Sequence, residues 1–309
     1  MSENIFEEEF EQEAIDRIKR FGRLCEAMGY TPVLGFSGGK DSQVVYDLCK
    51  RSGIEFKAKF NHCFESTTTM QFIREHYPDV EWRRVVKQGF FRNIAVNHAG
   101  LLPTVEMAYC CKDYKHNPAF VDKASIVGVR RGESVARATR NVLNTHTHTQ
   151  LRKQHETLTK YFAEHCMASG SPSEIELLPI VDWSDEQVWD YIKRHNLPVN
   201  PEYKVRKRVG CIICPKADLN RNWQVLAEHP KLIDCAIKAH SSRPENDWII
   251  TTDGNADYTD NKVEYICRWL NHSFRPFRKS HQEKYNLIKQ KYEEYKRKNE
   301  TGLQETEIL

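Results

Sequence analysis

Apolar and polar residues along the first half of the chain follow two periods, which predict alternating helices and strands. Between Phe6 and Tyr30 the apolar residues recur at helical spacing, as at Ile15 and Ile18, which predicts an amphipathic helix. Short β-rich runs and helical runs then follow: strands at 31–36, 55–61, 79–86 and 124–130, helices at 41–53 and 68–76. This order predicts an α/β fold whose parallel sheet is covered by helices on both faces.

The second half of the chain carries fewer periodic signals. Residues 141–174 are polar, and we expect a helix and a loop there. Residues 184–196 predict a helix, because Ser184 can act as N-cap and Gln187 stands at the capping-box position. The runs after the cysteine pair that ends at Cys214 predict further helices. We therefore expect two domains: 1–216, which holds the sheet and the grouped cysteines, and 217–309, a mainly helical C-terminal extension.

A glycine-rich loop, FSGGKDS, lies between the first predicted strand and the helix that follows it. Backbone N–H groups and a helix N-terminus meet there, and both attract anions. Lys40 adds a positive charge for a phosphate, and Asp41 beside a polyanion implies a bridging Mg²⁺ ion. The spacing differs from that of the common G-x-x-x-x-G-K-[ST] loop. The predicted phosphate-binding residues are Ser37, Gly38, Gly39, Lys40, Asp41 and Ser42.

The chain has ten cysteines, and four of them form two groups. Grouped cysteines in a reducing compartment indicate metal or redox chemistry. A set of four suits zinc or a [4Fe–4S] cluster, and we favour the cluster because adjacent side chains diverge and a cubane spreads its irons. The grouped residues are Cys110, Cys111, Cys211 and Cys214. The other six are predicted to be small buried residues: Cys25, Cys49, Cys63, Cys166, Cys235 and Cys267.

Arginines are concentrated in VGVRRGESVARATR, directly after a predicted strand. Arginine forks in a loop suit bidentate binding of phosphate or sulfate, and an exposed basic face is the alternative interpretation. The net charge of +3 neither requires nor excludes a nucleic-acid partner. No apolar run approaches the roughly 20 residues that span a bilayer, and the N-terminus lacks a leader pattern, so we expect a cytoplasmic protein with no membrane partner.

Taken in order, the motifs resemble the phosphoadenosine phosphosulfate (PAPS) reductase family, a branch of the PP-loop or N-type ATP pyrophosphatases. The motifs are SGGKDS, AYCCKDYK, GVRRGES, LLPIVDWSDEQVWDYI, LPVNPEY and GCIICP, and they cover residues 31 to about 216. The resemblance implies a five-stranded parallel sheet of the nucleotide-hydrolase type and a loop that holds pyrophosphate. It implies the four grouped cysteines as ligands of a [4Fe–4S] cluster, with Lys112 or Lys115 nearby. The implied nucleotide contacts beyond the loop are Asn61, Gly128, Arg130, Arg131 and Arg137.

Two departures from the reductases shape the functional hypothesis. The chain lacks their C-terminal E-C-G-x-H type segment, and it keeps an intact SGGKDS. An intact loop resembles ATP-consuming members of the wider group, such as the ATP sulfurylase small subunit, the DNA phosphorothioation sulfurtransferase and tRNA thiolases. We therefore expect an enzyme that adenylates an acceptor with ATP and Mg²⁺ and couples this step to sulfur transfer, with Lys40 and Asp41 as catalytic residues.

The acceptor and the partners of this reaction are left open by the sequence. DNA or RNA is one candidate acceptor, and a sulfur-donor protein is expected. The oligomeric state is left open, with a homodimer as one candidate. One alternative is a sulfonucleotide reductase that uses Cys235 or Cys267 and releases sulfite. Another is a nucleotide-binding module in which the cluster senses redox state.

Two further groups of residues are predicted to be solvated surface rather than sites. Histidines are concentrated in the polar segment at 146–165, and a solvated helix and loop accounts for them. Aromatic and basic residues are interleaved from Arg268 onward, as on nucleic-acid-binding surfaces. Glu283, Glu293 and Glu294 dilute that basicity, so we favour an amphipathic helix of mixed charge.

Overall fold

The computed structural model of the chain contains two compact units. It describes residues 2–84, 86–115, 122–145, 175–243, 248–252, 255–270, 277 and 279–300. The first unit comprises Met1–His62, Thr68–Arg83 and Pro118–Gly210, and the second comprises Cys63–Thr67, Arg84–Asn117 and Cys211–Leu309. These units are interleaved along the chain, whereas the predicted division at residue 216 is contiguous; that division stays a prediction.

The first unit is built on a six-stranded sheet with the strand order β3-β2-β1-β4-β6-β5. Its strands are β1 (Val33–Gly35), β2 (Lys57–Asn61), β3 (Glu81–Arg83), β4 (Ala124–Val127), β5 (Leu143–Thr145) and β6 (Ile175–Leu177). Its helices are α1 (Ser2–Ala27), α2 (Lys40–Ser52), α3 (Thr67–His76) and α5 (Asp185–Arg194). The predicted α/β class with a parallel sheet is confirmed.

Five of the six strands are parallel, as the family resemblance implied. β1 pairs with β2 on one side and with β4 on the other, and β4 pairs with β6. β5 is an additional edge strand that runs antiparallel to β6. It lies at the start of the polar segment, where we expected a helix and a loop, and a three-residue strand is too short to show a period of two. Residues 146–174 of that segment lie outside the described residues.

Apolar residues of the central strands form the core of the first unit. Leu34 of β1 and Ile126 of β4 are partners in the sheet register, and both are fully buried. Helix α2 brings Val44 and Leu48 into the same core. Helix α5 begins with the predicted capping box: the Ser184 hydroxyl accepts from the Gln187 backbone N–H, and the Ser184 backbone N–H donates to the Gln187 side chain. The parallel order places the loop after β1 at the carboxyl edge of the sheet, where such folds bind ligands.

The second unit is mainly helical and has its own apolar core. Its helices are α4 (Phe90–Asn97), α6 (Leu219–Glu228), α7 (Lys231–His240), α8 (Lys262–Leu270) and α9 (Lys279–Glu300). A two-stranded antiparallel sheet, which the sequence did not predict, is formed by β7 (Ile249–Thr252) and β8 (Asn255–Tyr258). Trp223, Ile233 and Ile266 are among its buried residues. Across the described part of both units, none of the helices combines the length and apolarity needed to cross a bilayer.

Candidate functional sites

The backbone carbonyl groups of the glycine-rich loop of the first unit accept hydrogen bonds from neighbouring side chains, and these bonds hold the loop in place. Gly38 has a φ of +72°, a conformation that favours glycine. Its carbonyl oxygen accepts from Gln43 Nε2 and from Asn200 Nδ2, each at 3.0 Å. The Ser42 hydroxyl donates to the Gly39 carbonyl at 2.8 Å. The loop is therefore fixed by the first turns of α2 and by the LPVNPEY segment, which contributes Asn200.

The same LPVNPEY segment contributes a hydroxyl to the loop backbone. The backbone N–H of Lys40 donates to the Tyr203 hydroxyl at 2.9 Å. Burial raises the pKa of Tyr203 to about 12, so this hydroxyl stays protonated at neutral pH. One of the amides at the start of α2 is thus bound by a side chain that sequence reasoning did not assign to the site.

Four charged side chains form an alternating cluster at the start of α2. Lys40 Nζ lies 3.0 Å from Asp41 and 2.9 Å from Asp185. Arg130 reaches the same two carboxylates, with Nε 2.6 Å from Asp41 and an Nη 2.7 Å from Asp185. Two cations and two carboxylates therefore compensate one another, and we call these four residues the charge cluster.

Asp185 is the member of the charge cluster that sequence reasoning missed as a functional candidate. Burial alone would raise its pKa, but hydrogen bonds and charge from Lys40 and Arg130 outweigh that effect and lower the pKa below its ordinary value. It is the first residue of α5, directly after the N-cap Ser184. The sequence predicts a helix start at Ser184 and places this stretch in the motif LLPIVDWSDEQVWDYI, with no role for Asp185, although an acidic residue in the first turn of a helix can also contact a neighbouring cation.

Gly128 permits the close approach of β4 to the start of α2. A Cβ atom at this position would lie 2.8 Å from the Asp41 carbonyl oxygen and 3.2 Å from the Ser42 nitrogen. Backbone atoms on this side leave no space for a side chain, so the glycine that follows β4 is required by packing. Because Gly128 lies this close to the start of α2, Arg130, two residues further along the chain, contacts Asp41.

A cavity of about 700 Å³ opens beside the charge cluster. The charge cluster lines it together with Ser37, Gly39, Ser42, Gly128 and Arg137 of the predicted set. Lys207 and Arg208 also line it and add positive charge. Burial lowers the pKa of Arg137, and the neighbouring charges of Arg208 and Arg140 lower it further. The lining therefore carries an excess of positive charge, which suits an anionic ligand.

Two predicted nucleotide contacts take other positions in the first unit. Arg131 forms an ion pair with Asp182, and its Nε donates to the Arg140 carbonyl at 2.9 Å. Asn61 ends strand β2. Neither belongs to the described residues that line the cavity.

The second unit brings the two cysteine pairs together. Cys110 interacts electrostatically with Cys111, Cys211 and Cys214. Burial and these neighbouring thiols raise the pKa of Cys110. Cys111 begins a π-helical turn, Cys111–Lys115, a rare conformation that is frequent at functional sites. We call the four cysteines the thiol site.

A carboxylate and a lysine lie against the thiol site. Glu65 is almost fully buried, and its Oε1 lies 3.3 Å from Lys115 Nζ. The Cys211 thiol lies 3.8 Å from the same carboxylate oxygen. Lys115, rather than Lys112, is therefore the basic neighbour with a described contact.

Cys63 also lies at the thiol site, although it was predicted to be an ordinary buried cysteine. It is buried as expected, and it also interacts electrostatically with Cys211. The sequence did not predict this position, because Cys63 is far along the chain from the other four cysteines and no spacing pattern relates it to Cys211.

The described residues contain no group of three or more His, Cys, Asp or Glu side chains arranged to hold a single metal ion. Four neighbouring cysteines remain a donor set for an iron–sulfur cluster, whose irons are spread over a larger volume than one ion. Beside the loop, Asp41 and Asp185 provide oxygen ligands of the kind that Mg²⁺ prefers. The residues present therefore fit both groups chemically.

The remaining cysteines of the second unit are poor candidates for a nucleophile. Burial raises the pKa of Cys267, which is 1% exposed in helix α8. Burial and Asp234 raise the pKa of Cys235 in helix α7. A reactive cysteine needs an accessible setting that stabilises its thiolate, and neither residue has one.

Comparison with known proteins identifies the family to which these motifs correspond. The profile of the phosphoadenosine phosphosulfate reductase domain matches residues 31–217. An uncharacterised protein of Methanocaldococcus jannaschii is 28% identical over 244 residues, which are 72% of this chain and 43% of the relative. The chain thus spans less than half of that relative.

Two further relatives have named activities. Sulfate adenylyltransferase subunit 2 of Bacteroides thetaiotaomicron is 25% identical over 218 residues, covering 65% of this chain and 68% of its own. Adenosine 5′-phosphosulfate reductase of Bacillus cereus is 27% identical over 158 residues, covering 50% of this chain and 58% of its own. The first name refers to the transfer of an adenylyl group to sulfate, and the second to the reduction of adenosine 5′-phosphosulfate.

Proposed function

Because the chain belongs to the phosphoadenosine phosphosulfate reductase domain family, we propose that it is an enzyme that joins nucleotide chemistry to sulfur chemistry. Specifically, it binds ATP at the glycine-rich loop, cleaves the bond between the α and β phosphates, and transfers the adenylyl group to an acceptor oxygen. A sulfur nucleophile then displaces AMP. The acceptor is a molecule that this reaction activates for thiolation.

The observation that carries the proposal is the charge cluster beside an intact SGGKDS loop. Lys40 and Arg130 are both nearly buried, and both face a cavity that the loop lines. Each cation is matched by a carboxylate, so a polyphosphate must replace those carboxylates or bind together with a divalent cation. ATP with Mg²⁺ meets this requirement, because the metal takes the carboxylates and the phosphates take Lys40 and Arg130.

In the first step the acceptor oxygen attacks the α-phosphorus of ATP. The bond from this phosphorus to the bridging oxygen breaks, and its electron pair leaves with pyrophosphate. Lys40 and the amides at the start of α2 stabilise the negative charge that develops on pyrophosphate. Asp41 and Asp185 would hold Mg²⁺, which neutralises part of the same charge when bound.

In the second step a nucleophile at the oxidation level of sulfide replaces AMP on the acceptor. Cys110, Cys111, Cys211 and Cys214 would hold a [4Fe–4S] cluster, with zinc as the alternative occupant of the same thiols. A bound cluster would supply a one-electron couple and an iron–sulfur environment for sulfide. Lys115 lies beside these thiols, where it forms an ion pair with the buried Glu65.

The proposal includes partner molecules. The relative named sulfate adenylyltransferase subunit 2 is, by its name, one subunit of an assembly, and we propose a partner protein for this chain as well. A protein that delivers sulfur would meet the requirement of the second step. The positive lining contributed by Arg137, Lys207 and Arg208 favours an anionic acceptor, and DNA or RNA is such an acceptor.

The first step is tested by exchange of labelled pyrophosphate into ATP with the Lys40→Ala variant. Exchange should fall by at least about 100-fold, because a charge that stabilises the leaving group is lost. Lys50→Ala on the same helix is the matched control, since Lys50 is half exposed and pairs with Asp79. Equal exchange in Lys40→Ala and wild type would reject the assignment of the loop.

A sulfonucleotide reductase is the second candidate, and the name of the matching family favours it. Such an enzyme would need a thiol that attacks sulfur, and Cys267 is buried with a raised pKa. The test is sulfite release from PAPS or adenylylsulfate with thioredoxin as reductant. Sulfite release without pyrophosphate exchange would replace the first proposal by this one.

A further inference from the structure

The Tyr203 side chain reaches the glycine-rich loop from the LPVNPEY segment and lines the cavity beside the charge cluster. Its hydroxyl oxygen accepts a hydrogen bond from the Lys40 backbone N–H at 2.9 Å. A Cβ atom at Gly39 would lie 3.4 Å from the same oxygen, so the hydroxyl is packed against the loop backbone. Tyr203 therefore contacts the loop that is proposed to hold the phosphates of ATP.

Backbone hydrogen bonds and ring packing fix the position of Tyr203. It lies in the short 3₁₀ turn Pro201–Lys204, and its backbone N–H donates to the Asn200 carbonyl at 3.0 Å. The Asn200 side chain in turn donates to the Gly38 carbonyl at 3.0 Å. Trp189 of α5 packs edge-on against the Tyr203 ring, with 5.0 Å between the ring centroids. One turn thus holds the loop at a carbonyl group through Asn200 and at an amide group through Tyr203.

The hydroxyl proton of Tyr203 has no acceptor among the residues that the structure describes. A phenolic hydroxyl can accept and donate at the same time, and the bond from Lys40 uses only its oxygen. Burial raises the pKa of Tyr203 to about 12, so the proton is retained at neutral pH. The proton is therefore available to an acceptor in the cavity that Tyr203 lines.

We propose that Tyr203 is a phosphate-binding residue, whose hydroxyl accepts from the Lys40 N–H and donates its own proton to an oxygen of the pyrophosphate part of ATP. The two bonds strengthen each other, because the bond from the amide polarises the O–H group and makes it a better donor. The bond to a phosphate oxygen is also charge-assisted. The Lys40 amide thereby acts on the phosphates through Tyr203. This inference rests on the proposed function, which places pyrophosphate at the loop.

The first test measures the binding of inorganic pyrophosphate with Mg²⁺ to the full chain by isothermal titration calorimetry. Tyr203→Phe keeps the ring and removes the hydroxyl, and the affinity should fall about 10-fold, the usual effect of losing a hydrogen bond to a charged group. Tyr30→Phe is the matched control and should bind as the wild type does. Tyr30 packs against Lys123 and is not among the described residues that line the cavity. Equal affinity of Tyr203→Phe and wild type would overturn the inference.

A second measurement separates donation to phosphate from support of the loop, since Tyr203→Phe removes both. 3-Fluorotyrosine in place of Tyr203, introduced by amber suppression, has a more acidic hydroxyl, which is a stronger donor and a weaker acceptor. The raised pKa of the site keeps this hydroxyl protonated at pH 7. Pyrophosphate affinity should rise about twofold or more. An unchanged or lower affinity would show that the hydroxyl only holds the Lys40 amide. If urea denaturation finds Tyr203→Phe unfolded, the fluorinated chain alone decides.

The outcomes also separate this inference from the proposed function. If the wild-type chain binds neither pyrophosphate nor ATP, the assignment of the loop is rejected, and the role of Tyr203 falls with it. If the wild-type chain binds pyrophosphate and exchange depends on Lys40, but Tyr203→Phe binds pyrophosphate equally well, only the role of Tyr203 is wrong.

Discussion

At the charge cluster of the first unit two cations face two carboxylates, whereas at the thiol site of the second unit one lysine and one carboxylate lie among five cysteines. In the charge cluster the two positive side chains and the two carboxylates neutralise each other. An anion can therefore bind to Lys40 and Arg130 only if another cation pairs with the two carboxylates. The thiol site is different, because its Lys115–Glu65 pair is already neutral and any thiolate that forms adds uncompensated negative charge. The charge cluster therefore favours a ligand that carries both negative and positive charge. The thiol site, once its thiols are deprotonated, favours a positively charged group.

The largest expected effect tests the thiol site. Cys214→Ala should sharply lower the visible absorption and the bound iron of the reconstituted protein, because one of the four proposed protein ligands of the cluster is lost. Iron and acid-labile sulfide analysis gives the measurement. Cys235→Ala, another partly exposed cysteine of the second unit, is the control that should retain iron. Iron retained in full by Cys214→Ala would mean that the second unit is not a cluster site.

The next effect tests the balance of the charge cluster. Arg130→Ala removes one cation and leaves Asp41 and Asp185 with only Lys40, so Lys40 is held more tightly by the carboxylates and less available to phosphate. Pyrophosphate exchange should fall by about 100-fold. Arg23→Ala, at an exposed position of α1, serves as the arginine control. A fall of less than twofold would show that Arg130 is structural only.

These two sites differ in how far the sequence predicted them. The loop was predicted residue by residue, because six contiguous residues between a strand and a helix determine both the conformation and the charge. Asp185 and Tyr203 were missed since their contacts with Lys40 span more than 140 positions and depend on the packing of α5 and of LPVNPEY. Long-range contacts of this kind leave no spacing pattern in a single sequence.

The absence of a local sequence pattern also explains which strands and which cysteine of the thiol site were not predicted. Four of the five parallel strands, β1 to β4, were predicted from their β-rich runs, whereas β5, β6, β7 and β8, each only three or four residues long, were not. The pairs at 110–111 and 211–214 were found by their spacing. Cys63 was assigned to the buried residues because its partner is determined by a β-bridge between Glu65 and Cys211.

A smaller effect tests the packing that holds the charge cluster. Gly128→Ala places a Cβ atom 2.8 Å from the Asp41 carbonyl oxygen, so the start of α2 must move. We expect the free energy of unfolding to fall by about 1–3 kcal/mol, the usual cost of overpacking. Gly132→Ala is the matched control, because a Cβ there meets no atom within 4 Å. Urea denaturation of both variants gives the comparison, and equal stabilities would show that α2 adapts at no cost.

The smallest effect concerns a second carboxylate cluster of the first unit, away from the loop. Glu11 is buried and accepts from Arg51 at 2.8 Å, with Arg194 and His195 also in contact. Burial alone would raise its pKa, but these three partners lower it below the ordinary value of 4.5. A lowered pKa in the folded state gives stability that is complete above pH 4.5 and is lost as the pH falls below that value.

Glu11→Gln should therefore lower the free energy of unfolding by about 1 kcal/mol at pH 7 and should flatten its dependence on pH below 4.5. Urea denaturation between pH 3 and pH 7 measures both effects. Asp16→Asn, on the same helix α1, is the control, because its carboxylate accepts an exposed hydrogen bond from Gln12. If Glu11→Gln and wild type lose stability in parallel below pH 4.5, the acid sensitivity of the first unit arises outside the contacts of Glu11.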